Sequence, residues 1–138
     1  MNLCDEFTIR ALLERHGFHF SKSMGQNFLI DPQIPADIAA ASQADETCGV
    51  LEIGPGIGPL TSELAQRAGK VVSIELDRAL LPILAETMAL HSNVEIVPGD
   101  VTRLDLKALI GEKFAGLRPI VCANLGGWGE RNVSIQLS

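Results

Sequence analysis

Short apolar runs that end on glycine, proline or a carboxylate alternate along this chain with stretches whose apolar residues recur every three or four positions. The first helical stretch spans 6–16, where Ile9, Leu12, Leu13 and His16 share a face and Gly17 stops the helix. Asp31-Pro32 reads as the N-cap and first residue of a second helix reaching about Gln43. Three strand–helix units follow. Strand one is predicted at 50–53, with a helix over about 59–68 closed by Gly69 in the left-handed capping conformation. Strand two is predicted at 71–75, and Leu80, Leu84 and Met88 mark one face of its helix. With Asp77 as N-cap, Pro82 falls past the first turn and removes a backbone hydrogen bond, which predicts a kink or a later helix start. Strand three at 94–97, a short helix near 105–112 and strand four at 120–123 complete the series. Strand four, Ile120-Val121-Cys122-Ala123, is apolar without alternation, as in a strand covered on both faces.

This alternation with short connections predicts an α/β fold, a parallel sheet with flanking helices and right-handed crossovers. Ligands of such sheets bind beyond the carboxyl ends of the strands, near the point where strand order reverses. The Glu52 to Gly58 run, Glu75, Asp100 and Asn124 each fall at the end of a successive strand, so four polar elements collect along one edge.

Composition sets the limits. A chain of 138 residues holds one domain at most and is short for an enzyme with a separate substrate module. Aromatic residues make up 4% and tyrosine is absent, so aliphatic side chains must supply most of the core. The net charge of −6 argues against tight nonspecific binding to nucleic acid by this chain alone, because phosphate contacts need clustered Lys and Arg. Cys4, Cys48 and Cys122 are an odd set without a C-x-x-C pair, which points to a reducing compartment. His16, His19 and His91 lack metal-ligand spacing, so no metal is expected. With no signal-peptide pattern and no apolar stretch near the roughly 18 residues that span a bilayer, a cytoplasmic protein without a membrane partner is expected.

The most specific chemistry lies in Val50-Leu51-Glu52-Ile53-Gly54-Pro55-Gly56-Ile57-Gly58-Pro59. Glycine at 54, 56 and 58 removes Cβ where the backbone must turn sharply and admit a ligand, and Pro59 suits a first helical turn. A dinucleotide loop reads G-x-G-x-x-G, and here the third glycine position is Pro59. The G-x-G-x-G form after an acidic residue resembles the first motif of S-adenosylmethionine-dependent methyltransferases. Glu75 lies 17 positions beyond Gly58, near the interval at which strand two presents a carboxylate to a ribose; a solvated strand end is the plainer alternative. Asp100 is placed to accept from an adenine amino group or, more simply, to cap the next turn. Asn124 offers donor and acceptor atoms that could hold a substrate amine, or is a polar strand end.

Several strings together resemble the ribosomal RNA adenine dimethyltransferases, which include the erythromycin-resistance methylases. Lys22 to Asp31 resembles that family's K-x-x-G-Q-N-F-L-x-D, and Glu52 to Gly58 its E-I-G-P-G-x-G. Val72 to Asp77 resembles its strand-two motif, Gly99-Asp100 its G-D, and Ala123-Asn124-Leu125 the start of its N-L-P-Y/F. The resemblance implies a partial Rossmann-like methyltransferase domain over 6–125, followed by a divergent tail over 126–138 and lacking the family's helical C-terminal domain. It implies S-adenosylmethionine as cofactor, held by Asn27, Leu29, Gly54, Glu75, Asp100 and Asn124, with Asn124 and Leu125 at the point of transfer. It further implies ribosomal RNA of the small subunit as partner, a single adenine taken out of its stack, and two methyl groups delivered to its N6.

The chain departs from the pattern after Leu125, where Gly126-Gly127 replaces proline and the aromatic, and Trp128 comes one place late. That aromatic would stack on the target base, worth about 1–3 kcal/mol. A truncated or frame-shifted product accounts for both the altered motif and the early end, and predicts that this chain alone is inactive. Strand four is then expected to be an exposed apolar edge that invites pairing with other chains and lowers solubility. The alternative is a noncatalytic S-adenosylmethionine-binding or RNA-associated module; a nicotinamide-dependent oxidoreductase is disfavoured by Pro59.

Overall fold

The computed structural model describes residues 1–18, 31–124 and 132–136. Helix α1 runs over Glu6–Arg15, capped by the Asp5 carboxylate, which accepts from the Thr8 N–H at 2.9 Å. Ile9, Leu12 and Leu13 form its buried face, while His16 follows the last turn and Gly17 takes φ +81°. Helix α2 covers Gln33–Ala41, with Pro32 as the half-in residue and Asp31 accepting from the Gln33 N–H.

The sheet is built from β1 (Cys48–Ile53), β2 (Lys70–Glu75), β3 (Val94–Pro98), β4 (Arg118–Asn124) and β5 (Asn132–Gln136). Its order is β3-β2-β1-β4-β5, with the first four parallel and β5 antiparallel to β4. Chain order reverses between β1 and β4, which places the switch point beside the glycine run. Helix α3 (Pro59–Ala65) follows β1, α4 (Leu81–Thr87) follows β2, and α5 (Leu106–Lys113) follows β3.

Each helix has a local cause. Pro59 opens α3, which ends at Ala65 rather than 68. Asp77 caps a 3-10 turn over Arg78–Leu80, and α4 begins only at Leu81, which puts Pro82 in the first helical turn where its missing N–H costs nothing. The later helix start expected from Pro82 is therefore the observed one. Asp105 caps α5 by accepting from the Ala108 N–H at 3.0 Å.

Alternation along the strands sorts the core into two faces. Cys48, Val50, Val71, Ile120 and Cys122 pack with Leu60, Leu64 and Ala39 under α2 and α3. On the same side Ile9, Leu12 and Leu13 join Ile57, Leu80 and Ile83, which seats α1 on α4. The opposite face, Leu51, Val72 and Ile74, is covered by Phe114 and the apolar side chains of α5. At the outer flank, Glu95 of β3 pairs with Lys113 at 2.7 Å and Lys70 at 3.6 Å.

Two expectations are corrected. Gly69 does not take a left-handed conformation. Its N–H donates to Cys48 O at 2.9 Å, and an added Cβ would lie 2.5 Å from Glu46 O, so glycine is required by close backbone approach. Nor does β4 end the sheet: β5 pairs along its outer side, with Val121 opposite Ile135 and Asn124 opposite Asn132. The expected bare edge is thus filled from within the chain, by residues 132–136.

Candidate functional site

The glycine turn leaves β1 with Gly54, Gly56 and Gly58 at φ +73°, +63° and +105°. Each of these three positions has the left-handed backbone conformation that only glycine adopts at little cost. An added Cβ at Gly54 meets no atom within 4 Å, so the surface there is open to a ligand. The turn is held from β2: the Gly54 N–H donates to Ile74 O at 3.0 Å, and the Gly56 N–H donates to Glu75 Oε1 at 3.2 Å.

Glu75 is only 6% exposed. Its second oxygen, Oε2, accepts from the Asp77 N–H at 2.9 Å. Each carboxylate oxygen carries two lone pairs, so both retain room for one further donor. Two vicinal hydroxyls would fill those positions. Beside it the Gly99 N–H donates to Glu75 O at 3.0 Å, which brings the end of β3 alongside the end of β2.

Asp100 performs the capping role that was its alternative reading. Oδ1 accepts from the Thr102 N–H at 2.9 Å and from the Thr102 hydroxyl at 2.7 Å, opening the 3-10 turn Val101–Arg103. The Thr102 hydroxyl and N–H hold its carboxyl below the usual range, so it is an anion at neutral pH. Oδ2 lies 3.8 Å from Arg103 Nε, and the side chain is 35% exposed. Capping engages one oxygen and leaves the other for a ligand.

A cleft of about 150 Å³ joins these groups, lined by Gly54, Glu75, Leu76, Gly99, Asp100 and Val101. It opens at the carboxyl ends of β1, β2 and β3, as the topology requires. A larger groove of about 670 Å³ lies at the opposite ends of the strands, between Lys70, Asn93 and Lys113. Size alone would select that groove, but its charges are paired on Glu95, whereas the smaller cleft gathers acceptors with open lone pairs. Asn124 ends β4 one residue past Ala123, the partner of Ile53, which sets its backbone next to the start of the glycine turn. Asn27, Leu29 and Leu125 lie outside the described residues.

Sequence reasoning missed what Glu52 does. It is 2% exposed, and its Oε1 accepts from the Thr61 hydroxyl of α3 and from the Ser73 hydroxyl of β2, the latter at 2.8 Å. Burial pushes its carboxyl up to about 7, against the two hydroxyls, which lower it, and with a smaller upward push from Glu75. The sequence marked Glu52 as the acidic residue before the glycine turn, but its hydroxyl partners lie 9 and 21 positions away and left no local signal.

Residues 17–127 match the ribosomal RNA adenine dimethylase family. The chain belongs to that family. Among curated members, the ribosomal RNA small subunit methyltransferase A of Anoxybacillus flavithermus is 50% identical over 117 residues, 84% of this chain and 40% of the relative. The protein of the same name from Ligilactobacillus salivarius is 52% identical over 105 residues, 76% of this chain and 36% of the relative. This dimethylase-family chain thus spans about 40% of the length of the curated relatives it matches. Among solved structures, the 23S rRNA methyltransferase ErmE is 28% identical, with a TM-score of 0.53 over 69% of this chain and 47% of that one. An RNA methyltransferase from Salinibacter ruber, solved with S-adenosyl-L-homocysteine, shares the fold at 18% identity and a TM-score of 0.51, covering 77% of this chain and 92% of that one. The family's dimethylase fold is the class I methyltransferase fold, and the cleft lies at its usual ligand edge.

Among the described residues no group of His, Cys, Asp and Glu is arranged to hold a metal ion, and no helix is long and apolar enough to cross a membrane.

Proposed function

We propose that this chain carries the methyl-donor site of a small-subunit ribosomal RNA adenine N6,N6-dimethyltransferase that uses S-adenosylmethionine in the cytoplasm. One observation carries the reading: Gly54, Glu75 and Asp100, which come from three different strand ends, line one cleft. The cleft fits the donor's adenosine half. Glu75 has two unfilled acceptor positions for ribose hydroxyls, Asp100 Oδ2 is an anionic acceptor for an amino group, and Gly54 presents bare backbone.

When bound, the donor supplies a methyl group already activated on a sulfonium sulfur. The chain's contribution is then placement and exclusion of water more than proton transfer. Gly54 allows close approach to the methionine part, Glu75 fixes the sugar, and Asp100 reads the base. By family resemblance Asn124 and Leu125 hold the target amine, and Asn27 and Leu29 close over the donor. We assign residues 6–125 to the donor-binding domain and 126–138 to a divergent tail; the strand Asn132–Gln136 lies within the latter.

The second reading, a noncatalytic donor-binding module, is favoured by Gly126-Gly127 standing where the family carries proline and an aromatic. Calorimetry with S-adenosylhomocysteine followed by methyl transfer to small-subunit RNA distinguishes the two. Saturable binding with transfer supports the enzyme, binding without transfer supports the module, and absence of binding removes both.

A further inference from the structure

Glu52 is not among the residues that line the donor cleft, yet it lies two residues before Gly54, where β1 runs into the glycine turn. Its side chain points to the face covered by α3. There the Thr61 hydroxyl reaches it from the first turn of α3, and the Ser73 hydroxyl reaches it from β2. Gly54 to Gly58 is the segment strung between Glu52 and Thr61: it leaves β1 just after Glu52 and enters α3 just before Thr61. Both hydroxyls use Oε1. Among the described residues Oε2 accepts no hydrogen bond, although the residue is 2% exposed.

We propose that Glu52 is a positioning residue, clamping the glycine turn by tying β1 to α3 through Thr61 while Ser73 of β2 holds the same carboxylate in place, and that protonation at its other oxygen loosens the clamp. A hydroxyl bond to a carboxylate is roughly twice as strong as one to a neutral carboxyl, so the two ties weaken together when the proton arrives. Burial brings that event up to about 7, inside the neutral range. The groups facing Glu52 are few. From α3 there is the Thr61 hydroxyl, from β2 the Ser73 hydroxyl and the Glu75 carboxylate, and from β4 the Cys122 thiol, its register partner. None of these is a cation, so nothing offsets the burial of the charge except the two hydroxyls.

Any effect on donor affinity rests on the function proposed above; the clamp itself does not. The first test therefore uses the whole chain without ligand. The Gly54, Gly56 and Gly58 amide resonances, followed by NMR from pH 5.5 to 8.5, are expected to titrate together with a midpoint near 7. In Glu52→Gln that titration should vanish. In Thr61→Val and Ser73→Ala, each of which removes one tie from the ionised form, the midpoint should move up. Glycine resonances that do not titrate in the wild type, a titration that persists in Glu52→Gln, or a midpoint unmoved in both hydroxyl variants would each overturn the proposal. Calorimetry with S-adenosylhomocysteine is the second arm. If it shows binding, affinity should be level above the midpoint and fall by at most about tenfold for each pH unit below it, and be flat throughout in Glu52→Gln. A slope unchanged in that variant counts against the clamp, while a wild type that binds nothing removes the functional reading and leaves the clamp to the glycine resonances.

Discussion

The Gly56 N–H donates to Glu75 Oε1 at 3.2 Å, so the carboxylate that ends β2 also braces the turn that ends β1. One side chain therefore braces the glycine turn and, in the function proposed above, also receives the ligand's hydroxyls, so the two tasks would stand or fall together.

Replacing Glu75 with glutamine tests that coupling. An amide has one oxygen and cannot accept from both the Gly56 and Asp77 N–H groups while receiving two hydroxyls. Loss of one or two hydrogen bonds to a charged group costs about 1.5–3 kcal/mol, so S-adenosylhomocysteine affinity should fall roughly tenfold to hundredfold by calorimetry. Unchanged affinity would remove Glu75 from the site.

Asp100→Asn separates capping from ligand binding. Asparagine caps as well as aspartate, so thermal stability should be nearly unchanged, while loss of the anion should weaken the donor's adenosine half severalfold. Equal loss of stability and affinity would show that Asp100 acts as a cap alone.

A pair of glycine substitutions probes the turn itself. At Gly58, φ is +105° and an added Cβ would sit 2.7 Å from Met88 Cε and 3.3 Å from Thr87 Oγ1. Gly58→Ala should lower the free energy of unfolding by about 1–3 kcal/mol in a urea titration. Gly111 lies within α5 with no atom near its Cβ position, and Gly111→Ala should raise it by about 0.5–1 kcal/mol.

Stability should also depend on pH through Glu52. Its folded pKa is about 7 and its ordinary value 4.5, so the folded state binds the extra proton between them. The associated stability is full below pH 4.5 and is lost as pH rises through 7, about 3 kcal/mol at about 1.4 kcal/mol per unit. Thermal denaturation should show the midpoint falling across that window in the wild type and a flatter profile in Glu52→Gln. Asp5, Asp45, Glu86, Glu95 and Asp100 have depressed values, so their contribution runs the other way and is lost in acid below the ordinary carboxylate range.

The sheet and the cleft were legible because local chemistry writes them. Apolar runs at 50–53, 71–75, 94–97 and 120–123 lie inside β1 to β4, and Pro82 signalled the late start of α4 through its missing N–H. What escaped depends on contacts between distant residues. Gly69 is glycine because the Glu46 carbonyl lies against it, and Glu52 is tolerated because Thr61 and Ser73 reach it across 9 and 21 positions. The Asn132–Gln136 run alternates polar and apolar residues, but it follows the stretch that departs from the family's pattern, and only its pairing with β4 identifies it as part of this sheet.

The Glu95 ion pairs at the far side of the sheet have a consequence for assembly. A foreign strand laid along β3 would have to strip solvent from a carboxylate held between Lys70 and Lys113, and at Pro98 it would find no donor to accept from. This flank is a poor template for further growth, so the sheet is protected there against propagation into fibres by charge and by an imide rather than by a covering helix.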